Sequence, residues 1–251
     1  MLHPSEETSI RLTGDWSSPE ADRISTAWFD AIGMEHKLPD GVRYMQGMSG
    51  KKYRYFINNL VGATPDARYL EIGSWAGSTS CSAMYGNKCK VTCIDNWSEE
   101  GGPKDKFMAN TSAVRTAEID FTFIESDFRN VDYNNIGKFN IYMFDGPHSE
   151  QDQYDGISIV QPALDDLYVL IVDDYNGWSV SKGTQDALDA LGSKIISKIE
   201  IITVADDNFR GDELGLDGKI IRKQKDNFHP GLCHQHSDWH NGYMIALISK
   251  K

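Results

Sequence analysis

From residue 68 onward, short apolar runs alternate with helical segments, and few folds accept that rhythm. Strand-like runs occupy 68–73, 90–95, 120–125, 139–145 and 167–173, followed by one near 198–204 and a last one at 242–249. Helical segments fall near 77–85, 104–117, 150–164 and 180–192, and Ser149 with Asp152 resembles a capping box for the third of these. Strands joined through helices pair as parallel neighbours by right-handed crossovers, which leaves helices on both faces of the sheet. The expectation is an α/β chain with a doubly wound, mostly parallel, seven-stranded sheet. Residues 206–241 break the rhythm, and a connection of that length is more often functional than idle. If the last strand runs back antiparallel, both ends of this insert lie at the carboxyl edge of the sheet, where open α/β sheets bind ligands.

Ahead of the alternating region, residues 1–17 read as a poorly specified arm. Ser18-Pro19-Glu20 marks a helix start, with Ser as N-cap and Pro at the first helical position. Ile24, Ala27, Trp28, Ala31 and Ile32 then share one face. Ser49 is expected to open a second helix with Tyr53, Phe56, Ile57, Leu60 and Val61 inward, ended by Thr64-Pro65-Asp66. The organisation expected is therefore an N-terminal arm and helices (1–66) packed on a core (67–251), a single domain overall. A formal charge of −12 argues against nucleic acid or an anionic membrane as the main partner. The first residues lack an apolar signal segment, and the longest apolar run is about five residues, far below a membrane span. A cytoplasmic protein is the expectation, and Cys93, inside a strand, reads as a buried reduced thiol.

Two groups of residues carry chemistry. The first is Glu71-Ile72-Gly73-Ser74-Trp75-Ala76-Gly77-Ser78, which ends one strand and enters a helix. Glycines permit a tight turn and close backbone approach, and free N–H groups at a helix start attract an anionic group. Trp75 stands where a dinucleotide fingerprint needs its middle glycine, which disfavours a nicotinamide cofactor. Asp95, with Asn96 behind it, ends the second strand and is placed to bind ribose hydroxyls. Asp127, beside Phe128 after the third strand, is placed to meet an adenine amino group.

The second group is Asp145-Gly146-Pro147-His148 with Asp173-Asp174. Asp145 and Asp173 close neighbouring strands, about 5 Å apart. Three carboxylates there repel one another unless a cation neutralises them, and all-oxygen ligation favours a hard ion, Mg²⁺ first. His148, with an ordinary pKa of about 6.5, suits proton removal near neutral pH. The bland alternatives are that Asp145 caps a loop or touches the cofactor, and that Asp173 and Asp174 are solvated turn residues.

A glycine loop followed by acids after strands two and three resembles the class I S-adenosylmethionine-dependent methyltransferases, over roughly residues 68–249. That resemblance implies a Rossmann-like seven-stranded sheet whose last strand is antiparallel. It also implies a cofactor site built from Glu71, Gly73, Ser74, Gly77, Ser78, Asp95, Asn96, Asp127, Phe128 and Asp145. The D-x-x-H and D-D pair resembles the metal-dependent sugar O-methyltransferases of the macrocin O-methyltransferase group, as does the stretch from Gly47-Met48-Ser49-Gly50 to Arg54-Tyr55-Phe56. This implies Asp145, Asp173 and Asp174 as ligands of a divalent cation and His148, with Asp145, as catalytic. Pro147 replaces an acidic residue common there. The expected activity is cation-assisted O-methylation of a small molecule, a vicinal-diol sugar first and a catechol-like ring second. A metal-independent N- or carboxyl-methyltransferase and a non-catalytic nucleoside-binding module remain as alternatives, and a homo-oligomer is left open.

His229, Cys233, His234, His236, Asp238 and His240 crowd into the insert. His236 and His240 have helical ligand spacing, but no CxxC or HExxH accompanies them, which weighs against zinc. A substrate-facing lid is the preferred reading, with Trp239 or Phe228 stacking on a ring.

Overall fold

The computed structural model describes residues 8–203, 213–214, 220–222, 239 and 241–250. Its strands are β1 (Thr8–Gly14), β2 (Arg68–Ile72), β3 (Cys89–Asp95), β4 (Ile119–Glu125), β5 (Phe139–Phe144), β6 (Leu164–Val172), β7 (Lys194–Thr203), β8 (Glu213–Leu214), β9 (Ile220–Arg222) and β10 (Tyr243–Ser249). The helices are α1 (Pro19–Ile32), α2 (Asp40–Arg43), α3 (Lys51–Ala63), α4 (Ser78–Met84), α5 (Lys104–Val114), α6 (Glu150–Ser158) and α7 (Trp178–Ala190). Among the described residues no helix is long and apolar enough to cross a membrane.

The main sheet runs β1-β7-β10-β6-β5-β2-β3-β4. Parallel pairing joins β4, β3, β2, β5 and β6, whereas β10 is antiparallel to both β6 and β7. This is the doubly wound Rossmann-like α/β sheet, with one correction. It has eight strands, because the arm supplies β1, which pairs antiparallel with β7 from Thr8↔Thr203 to Gly14↔Ser197. The segment alternates Ile10 and Leu12 with Arg11 and Thr13, which is enough for an edge strand but too short a pattern to stand out. Within the insert, β8 and β9 form a separate antiparallel ladder.

Helix boundaries follow local chemistry. Ser18 caps α1 by accepting from the Ala21 N–H, and Ser149 and Asp152 form the reciprocal capping box of α6. The second helix starts one residue later than expected. Gly50, not Ser49, is its N-cap, because the Ser49 hydroxyl accepts from Arg54 Nε at 2.9 Å and pairs with Ser78 Oγ at 3.0 Å. Arg54 is fully buried and also gathers the carbonyls of Val42, Arg43, Met45 and Gly47. One cation thus folds the glycine-rich stretch before α3 against the start of α4.

Strand alternation divides the core. Ile72, Phe144, Val172 and Met244 face one layer, with Val180, Ala187 and Leu188 of α7. Tyr69, Met143, Ile171, Ile245 and Tyr243 face the other, with Ile24 and Trp28 of α1 and Tyr53, Phe56 and Leu60 of α3. Each fully buried aliphatic or aromatic side chain here contributes about 1.5–3 kcal/mol of transfer free energy, so the N-terminal helices are held firmly over this second face. Cys93 is a free, fully buried thiol, as expected.

Candidate active site

The register brings the two chemical groups together. Ile72 pairs with Phe144, Phe144 with Val172, and Val172 with Met244. One step nearer the carboxyl edge, the next row is Gly73, Asp145, Asp173 and Tyr243. The backbone bonds Asp145 N–H to Ile72 O (2.9 Å) and Asp173 N–H to Phe144 O (3.1 Å) carry that register past the strand ends. Continuing the alternation, this row belongs to the face covered by α1 and α3. Gly73 sits at φ +86, and a Cβ there would lie 1.8 Å from the Asp145 carbonyl oxygen. Its missing side chain therefore makes room for the neighbouring strand, and the glycine loop and the acidic group touch at this point.

In the glycine loop, Asp95 Oδ2 accepts from the N–H groups of Ser74 and Trp75, both at 2.9 Å, and its Oδ1 accepts from Trp97 N–H at 2.7 Å. Trp75 holds a left-handed φ of +42, and its indole N–H donates to Glu100 O. Gly77, at φ +84, turns the chain into α4 beside the Phe107 ring. Ser78 is buried against Ser49, and Asn96 is exposed, its side-chain oxygen accepting from Ser98. Asp127 is half-buried and accepts from Arg129 N–H.

Two further residues of the expected cofactor set, Glu71 and Phe128, are buried. Glu71 is fully buried, accepts from Tyr69 and Ser80 hydroxyls, and is pushed above the usual carboxylate range by burial. Phe128 is 5% exposed and packs edge-on against Phe144, with Arg129 over its other side.

The acidic group is different in kind. Asp173 is 5% exposed, while Asp145 and Asp174 are half-buried. Burial, then the charges of Asp173 and Asp174, push Asp145 well above its ordinary value. Asp173 is raised too, by burial and by Asp174. Asp145 and Asp173 are hydrogen-bonded to each other, and the pair holds protons more tightly than isolated aspartates do. Asp174 adopts φ +52, which aims its Oδ2 at His148 Nε2, 2.9 Å away. Burial pulls the His148 pKa down, but Asp174, by charge and hydrogen bond, and Asp173 outweigh it and raise the pKa to about 9. Ligand atoms of Asp145, His148 and Asp174 lie within 4.8 Å of one another. That trio contains His148 where the sequence pattern pointed to Asp173; Asp173 instead accepts the Asp174 N–H at 2.7 Å and bonds to Asp145.

Sequence reasoning missed the aromatic side of this row. The rings of Tyr243 and of Tyr53 from α3 stack at 3.5 Å, and both residues are fully buried. Tyr53 donates to Met143 Sδ (3.4 Å), as does Tyr69 (3.0 Å). Burial raises both Tyr53 and Tyr243 well above the usual phenol value, with Asp173 the next cause for each. The period of α3 marked Tyr53 as inward-facing, but only the strand register reveals what lies opposite it. Trp239, read as a ring-stacking residue, is 3% exposed and packs edge-on to Tyr243 at 6.4 Å. Phe228, His229, Cys233, His234, His236, Asp238 and His240 lie outside the described residues.

No curated protein matches the chain. Among solved structures, TrmN from Thermus thermophilus aligns at 12% identity and TM-score 0.49, over 84% of this chain and 52% of that one. An O-methyltransferase from Bacillus cereus, solved with SAH, aligns at 11% identity and TM-score 0.47, over 91% of each chain. The SAH-bound methyltransferase PaMTH1 of Podospora anserina aligns at 14% identity and TM-score 0.42, over 67% of this chain and 76% of that one. Residues 70–175, which include the glycine loop, Asp95, Asp127, Asp145, His148, Asp173 and Asp174, match a family described as a methyltransferase domain.

Proposed function

We propose that this chain is an S-adenosylmethionine-dependent, divalent-cation-assisted O-methyltransferase acting on a hydroxyl of a small molecule, with a sugar-containing or vicinal-diol acceptor preferred over a catechol-like ring. The observation that carries this reading is the row Gly73–Asp145–Asp173, which sets a cofactor-type loop directly beside a proton-retaining carboxyl pair. The match of 70–175 to a methyltransferase-domain family supports the cofactor part of it. S-adenosylmethionine supplies, when bound, a methyl group made electrophilic by its sulfonium, and a divalent cation, Mg²⁺ first, supplies Lewis acidity that lowers the pKa of an acceptor hydroxyl.

The chain's own residues have distinct tasks in this reading. Asp145, Asp173 and Asp174 are the oxygen donors for the cation, and their clustered charge fits a hard ion. Asp95 fixes the glycine loop through Ser74 and Trp75 and presents its remaining lone pair, on Oδ1, to a ribose hydroxyl. His148, half-exposed, keeps its Nε2–H on Asp174, so its free Nδ1 takes the acceptor's proton once the ring is neutral, and Asp174 stabilises the imidazolium so formed. With its pKa raised to about 9, this base comes into its neutral form as pH rises toward that value, rather than near neutrality as its ordinary pKa implied. The −12 charge favours a small-molecule acceptor over nucleic acid.

The test is methyl transfer to a panel of diols and catechols, with and without EDTA. Transfer that requires added Mg²⁺ or Mn²⁺ is expected. One observation favours a second reading: the His148–Asp174 pair already neutralises part of the cluster. Transfer undiminished by EDTA would establish that metal-independent alternative.

A further inference from the structure

Tyr243 is the residue whose surroundings the proposed chemistry has not used. It opens β10 in the row of Gly73, Asp145 and Asp173, opposite position 173 of the neighbouring strand. Its side chain is fully buried, yet its hydroxyl has no hydrogen-bond partner among the described residues. Leaving a buried hydroxyl unpaired is costly, so such a group calls for an explanation. The ring cannot swing away, because Tyr53 stacks on it and Trp239 abuts its edge. The backbone is fixed as well. The preceding Gly242, at φ +81, would clash through a Cβ with Asn176 and with the Ile201 carbonyl, and its own carbonyl accepts from Tyr175 N–H. A rigid, buried donor is thus held on the sheet face and in the row that carry Asp145 and Asp173.

We propose that Tyr243 is a positioning residue for the cation site, donating its hydroxyl hydrogen bond to Asp173 when that carboxylate ligates a divalent ion. This inference rests on the cation-assisted reading above. Ligation uses one lone pair of a carboxylate oxygen and leaves others that need donors, and outer-shell donors of this kind orient the ligand and tune affinity. Asp173 already receives the Asp174 N–H on Oδ1. Tyr243 supplies the donor from the opposite strand, so the last strand takes part in ion binding without ligating.

The experiment titrates Mn²⁺ into the full chain, following free Mn²⁺ by electron paramagnetic resonance, for the parent, Tyr243→Phe and Tyr53→Phe. Tyr243→Phe is expected to weaken Mn²⁺ about tenfold or more, in line with outer-shell substitutions. Its cation-free melting temperature should be unchanged or higher, since no hydrogen bond is lost, and its affinity for S-adenosylhomocysteine unchanged. Tyr53→Phe, which loses only its bond to Met143, should bind Mn²⁺ like the parent. The parent should also give a tyrosine ultraviolet difference spectrum on Mn²⁺ addition, a readout that does not depend on the variant folding. Equal Mn²⁺ affinity in parent and Tyr243→Phe, a lower cation-free melting temperature in that variant, or no tyrosine signal from the parent would overturn the inference while the cation site stands. A parent that binds no Mn²⁺ would overturn both.

Discussion

At the ends of β2 and β3, carboxylates are answered by protein donors. Asp95 receives three backbone N–H groups, and Glu71 receives two hydroxyls. One strand further along, Asp145 and Asp173 answer each other, and Asp174 is answered by a histidine that must be protonated to help. The first half is organised before a ligand arrives and gains mainly from shape and hydrogen bonding. The second meets its repulsion with protons, on the Asp145–Asp173 pair and on His148, and a cation would compete with them. In the proposed reading, binding energy then has different sources a few ångströms apart, and each half should be open to separate disabling.

The largest expected effect tests that separation. Asp173→Asn should abolish cation-dependent transfer, by about 100-fold or more, because a buried ligand and the partner of Asp145 are lost together. S-adenosylhomocysteine should still bind within about threefold of the parent if the halves are energetically distinct. Calorimetry with each ligand decides this, and loss of both affinities would break the comparison. Gly73→Ala should break it deliberately. A methyl group 1.8 Å from the Asp145 carbonyl forces β2 and β5 apart, so cofactor and cation affinity should fall together, with a drop in melting temperature.

A pH series sharpens the electrostatic contrast. Asp145, Asp173 and His148 all hold protons more tightly in the folded chain than in the unfolded one. Their stabilising contribution is complete below the ordinary values, 3.8 for aspartate and 6.5 for histidine, and is lost as pH rises, the histidine part through about 9. The cation-free chain should therefore lose stability across that window. The rise in melting temperature on adding Mg²⁺ should grow with pH, and a rise independent of pH would contradict the proton-retaining cluster. The smallest effect belongs to the other half. Asp95→Ala should weaken S-adenosylhomocysteine by ~1–3 kcal/mol, the range for charge-assisted hydrogen bonds, and leave Mn²⁺ affinity unchanged.

What the sequence made legible follows the range of the forces involved. Capping at Ser18 and Ser149, the apolar faces of α1 and α3, and the acids at strand ends are local patterns, and each stands where its spacing placed it. The late start of α3 was hidden because Arg54, four residues into the helix, commits Ser49 to a different bond. Glu71 and Phe128 occupy motif positions, but their side chains turn into the core, and strand alternation rather than motif decides that. Tyr53 and Tyr243 were invisible as a pair because a stack between the first helical layer and the last strand has no signature in the spacing along the chain. Asp174 reaches His148 through a left-handed backbone, which two adjacent aspartates do not announce.

The pairing of β1 with β7 also sets an order of assembly. Thr8 finds its partner at Thr203, so β1 cannot be hydrogen-bonded into the sheet until β7, far along the chain, has been made. Until β1 pairs with it, β7, with its apolar Ile199 and Ile201, is an open edge of the kind that recruits other chains. When β1 docks it closes that edge and becomes the boundary itself. β1 thus seals an edge made by a strand far along the chain, and the interval before it docks leaves that edge open to aggregation.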